Sequence, residues 1–154
     1  MVRLGVIVAA LVLAAGGVWY WFYGPCGTKR VEASVVQLRS QADKWGDAVQ
    51  LVSRTPRIAL AGPVGRLQDI RRETREMVMA PCADHARNLL VRSMDHTIDA
   101  VMAFMGSGGS GDAAKETVSE LAGNAAERLN DFTTELGHVT QCAPRCDWLV
   151  LNPD

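Results

Sequence analysis

The chain has 154 residues, 48% of them hydrophobic, and a formal net charge of -1. That balance excludes a general electrostatic attraction to nucleic acid or to an acidic membrane surface. No period-two run of β-branched and aromatic residues occurs, and no Asn-Gly or Asp-Gly turn, so the fold class reads as all-α.

Residues 4–23, LGVIVAALVLAAGGVWYWFY, carry no charge. About 20 apolar residues at 1.5 Å each span the hydrocarbon core of a bilayer, whereas a cleavable signal peptide needs an apolar core of only about 7 to 15. Two readings compete. In one, residues 4–13 are a signal core and Ala14, Ala15, Gly16 and Gly17 supply the cleavage site. In the other, residues 1–25 stay as a transmembrane anchor, with Trp19, Tyr20, Trp21, Phe22 and Tyr23 as its aromatic belt at the membrane interface. Retention is the better reading, because cleavage leaves an exposed aromatic cluster at the new terminus.

Residues 26–154 then form one domain with a core of its own. Thr28 reads as the N-cap of a first helix whose stripe is Val31, Val35, Leu38, Ala42, Trp45, Val49 and Val52. Alternate spacing by four and three is the buried face of a bundle helix. Thr55 as N-cap and Pro56 at the first helical position predict the start of a second helix, with Leu60, Val64, Leu67, Ile70, Thr74 and Met77 or Val78 inward. Pro63 cannot donate to the carbonyl of Ala59, which predicts a kink there or a later start.

Pro81 ends that helix, and Asp84 caps a third with Ala86, Leu90, Met94, Thr97, Val101 and Phe104 on one face. The Gly/Ser run 106–111 predicts a mobile surface connection. Asp112 caps a fourth helix with Ala114, Val118, Leu121, Ala125, Leu129, Phe132, Leu136 and Val139 inward, and Pro144 stops it. The tail 148–151 is apolar again, and Trp148 joins Trp19, Trp21 and Tyr23 as a candidate for the membrane interface. Four helices of roughly 22 to 30 residues on short connections predict an N-terminal transmembrane helix followed by an antiparallel up-down four-helix bundle.

In that topology Cys26, Cys82, Cys142 and Cys146 gather at the end nearest the membrane. An even cysteine set at helix ends suits disulfides in an oxidising compartment, which places the domain on the periplasmic or extracellular side of the cell membrane. Three pairings remain open. The weaker alternative is a zinc site drawn from Cys82, His85, His138, Cys142 and Cys146, whose spacings match no standard motif. His96, alone in the middle of the third helix, reads as an ordinary surface or boundary histidine.

From Arg54 to Glu76 the chain carries Arg54, Arg57, Arg66, Arg71, Arg72 and Arg75 against Asp69, Glu73 and Glu76, while the fourth helix carries Asp112, Glu116, Glu120, Glu127, Asp131 and Glu135 against Lys115 and Arg128. They read as solvated faces or, functionally, as a polarised docking surface. No nucleophile arrangement, phosphate loop, dinucleotide fingerprint, haem-attachment motif or Glu-x-x-His pair is present, so neither a catalytic residue nor a cofactor is expected. The expected role is therefore non-enzymatic: an accessory or scaffold subunit with a protein partner in a membrane or envelope assembly. The alternative is a periplasmic bundle that binds a metal or small ligand at its cysteine end or in its core.

Overall fold

The computed structural model describes residues 27–106 and 112–142, with backbone only at 112–115, 117, 118, 141 and 142. The expected anchor 1–25, its interface residues Trp19, Trp21 and Tyr23, most of the Gly/Ser run, and Cys26, Cys146 and Trp148 lie outside the described residues. Within them the chain is all-helical: α1 (Thr28–Arg54), α2 (Ala61–Glu76), α3 (Asp84–Gly106) and α4 (Asp112–Cys142), with no strand. None of these helices is long and apolar enough to cross a membrane.

Local chemistry sets the boundaries, and four of them differ from expectation. Gly27, not Thr28, caps α1, its carbonyl accepting the N–H groups of Arg30 at 2.9 Å and Val31 at 3.1 Å. Thr55 ends α1 instead of opening the second helix. Because Pro56 follows, residue 55 is forced into extended backbone (φ -90°, ψ 129°), and its hydroxyl turns back to the Leu51 carbonyl at 2.6 Å. Pro56 then leads into a 3-10 turn, Arg57–Ala59, and α2 starts at Ala61. The proline at 63 falls in the first turn of α2, where its missing N–H costs nothing, so the later start replaces the kink.

The third difference is length. The α2 helix has 16 residues, about 24 Å, well short of its neighbours. Residues 77–80 run extended from Met77 to Ala80, which precedes Pro81, and a second 3-10 turn, Pro81–Ala83, feeds directly into α3. Asp84 is therefore already helical (φ -63°, ψ -37°) instead of being a cap. Its carboxylate sits in the first turn, favourable to the helix dipole, and pairs with Arg87 at 3.2 Å.

Successive helices pack on one another as in a bundle, most extensively α3 on α4, and α1 also reaches α4. The core joins Val31, Val35, Leu38 and Trp45 of α1, Leu67 and Ile70 of α2, Leu90 and Met94 of α3, and Phe132, Leu136 and Val139 of α4. Polar pins set the register. The Ser34 hydroxyl accepts the buried Ala80 N–H at 3.0 Å, which ties the start of α1 to the turn before α3. The Ser93 hydroxyl donates to the Ala125 carbonyl at 2.9 Å between α3 and α4. At the opposite end Arg57 donates to the carbonyl of Met105, which fixes the α1–α2 connection to the last turn of α3.

Candidate functional site

Among the described residues, the packed helices border a groove and a cavity. The first is a groove of about 440 Å³ between the first half of α1 and the end of α2. Val36 of α1 and Val78 of the extended segment after α2 flank it at 60% and 93% exposure, large apolar side chains left to solvent. Lys44 and Glu73 bridge it by an ion pair at 3.7 Å. Gln41 lines it and is itself only 5% exposed, yet its side-chain oxygen accepts no hydrogen bond. A buried carbonyl oxygen without a donor carries a cost of roughly 1 to 3 kcal/mol, so the groove lacks an N–H or O–H that Gln41 is placed to accept.

The second is a cavity of about 650 Å³ at the other end, where the α1–α2 connection meets the end of α3 and the first half of α4. Val49 and Val52 form one wall. Ala100, Ala122 and Ala125 form another, and their short side chains leave the space open. Three hydroxyls border it, and all three are spent on their own helix: Ser53 on Gln50, Thr55 on Leu51 and Thr97 on Ser93. Among the described lining residues Arg57 alone is charged. Its guanidinium stands 6.0 Å from the centroid of the Phe104 ring, a cation–π contact that holds it in place while leaving most of its donors uncommitted to that ring.

The residues singled out by sequence fall elsewhere. Cys82 is half-buried in the Pro81–Ala83 turn, packed against the core, and that turn touches α4, the helix that carries His138. His85 and His138 are both exposed, and His96 is half-buried. No three metal-ligating side chains gather among the described residues, while the side chain of Cys142 and all of Cys26 and Cys146 lie outside them. The arginines of α2 face a partner other than the acidic fourth helix. Arg71 and Arg75 both reach Asp95 of α3, at 3.1 and 3.3 Å, and Arg72 pairs with Asp69 at 2.6 Å.

The groove and the cavity were not visible from spacing, although one signal was. Gln41 lies three residues after Leu38 and four before Trp45, on the buried stripe itself, where a polar residue needs a partner. No known family model matches this chain, and no curated protein or solved structure is similar to it.

Proposed function

We propose that this chain is a non-enzymatic accessory or scaffold subunit of a membrane or envelope assembly. Residues 1–25 anchor it as a single transmembrane helix, and residues 26–154 form an antiparallel up-down bundle on the periplasmic or extracellular side. Trp19, Trp21, Tyr23 and Trp148 sit at the membrane interface, and Cys26, Cys82, Cys142 and Cys146 pair as disulfides. The length and apolarity of residues 4–23 and the even cysteine set support this placement.

One observation carries the docking role: the unpartnered oxygen of Gln41 in a groove flanked by exposed Val36 and Val78. Val36 is the ninth residue of α1, about 12 Å along that helix, so the groove lies near the expected bilayer surface. Its occupant is an extramembrane segment of a neighbouring membrane protein, with an apolar side chain for the valines and an N–H or O–H for Gln41.

The test is purification of the full chain in mild detergent with mass spectrometry of what accompanies it. A stoichiometric membrane protein is expected with the wild type and with Ile58→Asp, which alters an exposed residue at the far end, and is lost with Val36→Asp. Equal recovery from both variants overturns the docking site. Release of the intact chain into buffer without detergent overturns the anchor.

The 650 Å³ cavity favours a second reading, a bundle that binds a small ligand. Its size lies within the range of about 300–1,000 Å³ common to small-molecule sites, and its lining is apolar.

A further inference from the structure

We infer that the cavity between α1, α3 and α4 takes a straight-chain carboxylate amphiphile, with its acyl chain against the alanines and its carboxylate on Arg57. This rests on the ligand-binding reading and adds the chemistry of the ligand. The argument is one of elimination among the polar groups. Ser53, Thr55 and Thr97 already donate to carbonyls of their own helices at 2.8, 2.6 and 2.9 Å, so none of these hydroxyl protons is left to recognise a polar ligand body. Arg57 gives one N–H to the Met105 carbonyl and keeps further donors in a planar fork, the geometry that matches a carboxylate.

The anchoring of that fork matters as much as its charge. The Met105 carbonyl on one side and the Phe104 ring on the other hold the guanidinium at a fixed place, so less side-chain entropy is lost when a ligand binds. The rest of the lining selects a slender apolar body. Ala100, Ala122 and Ala125 offer methyl groups where Val49 and Val52 face them across the space, and the half-exposed Phe104 leaves an entrance. A ligand with acceptor groups along its length finds no free hydroxyl proton among Ser53, Thr55 and Thr97, whose oxygens can only accept, and leaves those acceptors unpaired.

A dodecanoate carrying a diazirine at its tail tests this, photolysed with the full chain in lipid nanodiscs and mapped by mass spectrometry. Adducts are expected on the segments around Val49 and Val52 and around Ala122 and Ala125. Unlabelled dodecanoate is expected to compete about tenfold better than dodecanol, the loss that follows from one charge-assisted hydrogen bond. Arg57→Gln removes that difference, and because dodecanol reports the same loss on the wild type, a poorly folded variant does not mask it. Ala122→Trp, a change at an exposed lining position, abolishes the adducts with the helical circular dichroism unchanged. Adducts confined to residues 1–25, or undiminished by Ala122→Trp, overturn both the cavity and its ligand. Cavity adducts that dodecanol and dodecanoate suppress equally overturn the carboxylate while the ligand-binding reading stands.

Discussion

The two ends of this bundle are built from the same small residues and reach opposite outcomes. Where the Pro81–Ala83 turn enters α3, Ala80, Ala83 and Ala86 are 5%, 0% and 0% exposed and share one core cluster with Val31, Val35 and Leu90. At the other end Ala100, Ala122 and Ala125 border an open cavity, and Val52, Val101 and Phe104 stay partly in solvent. Small side chains permit close approach of helices, and where the helices stand apart the same side chains leave space between them. At the first end the extended 77–80 segment and the second 3-10 turn carry the chain across beneath α1, fixed by the Ser34–Ala80 hydrogen bond. At the second end Thr55 and Pro56 hold the chain extended, α2 starts only at Ala61, and the connection lines the cavity with Pro56, Arg57 and Leu60.

The contrast is broken most directly by core deletion at each end. Leu90 is fully buried at the closed end, so Leu90→Ala is expected to cost about 2 to 5 kcal/mol, read as a lower midpoint in chemical unfolding of the full chain in detergent. Val101 borders the cavity half-buried, and Val101→Ala is expected to cost about 1 kcal/mol. Equal losses mean the ends are packed alike. Next in size is Ser34→Ala, which leaves the buried Ala80 N–H without an acceptor and is expected to cost about 1 to 3 kcal/mol. A loss below that range places the closure of this end on packing alone.

Much of the helical core was legible in the sequence. The α1 stripe Val31, Val35, Leu38 and Trp45 is buried, with Ala42, Val49 and Val52 packed against it, and every expected α2 position from Leu60 to Thr74 is buried. Periodicity reports which face of one helix is apolar, and that face is what a bundle buries. It does not report how neighbouring helices rotate or where a short helix leaves its neighbours uncovered. Phe104 and Leu129 sit on their expected stripes yet are 42% and 39% exposed. Thr55-Pro56 fits a helix start equally well as a helix stop, and only the extended backbone at residue 55 separates the two. Gln41 is marked by its place on the α1 stripe, whereas nothing in the sequence marks Ser34 and Ser93, whose burial depends on the partner element; all three are buried polar groups that pin or open the structure.

Gln41 sharpens the comparison from the other direction, since a binding groove tolerates a local cost that a closed core does not. Gln41→Leu keeps the volume and removes the unmet acceptor, so a gain of about 1 kcal/mol is expected in the same unfolding experiment. The same variant is expected to lose the co-purifying partner. A loss of stability instead shows that the oxygen is bonded in solution, and the groove then has no unmet acceptor to offer.

The smallest effect is expected at Asp95, which sits between two arginines and resembles a keystone on inspection. Its side chain is 39% exposed, and those of Arg71 and Arg75 are 28% and 55% exposed, so water screens both pairs. Ion pairs of this kind contribute roughly 0 to 1 kcal/mol, and the second arginine repels the first across the shared carboxylate. Asp95→Asn is therefore expected to lower stability by at most about 1 kcal/mol at low salt, with the gap from wild type narrowing as salt is raised, since screening weakens exposed pairs first. The Nε of Arg71 is buried and already without an acceptor, so a larger, salt-independent loss would mean that Asp95 holds this guanidinium in the α2–α3 interface. In that event the tight end of the bundle would extend along α2 as far as Arg71, beyond the region that Ser34 and the alanines close.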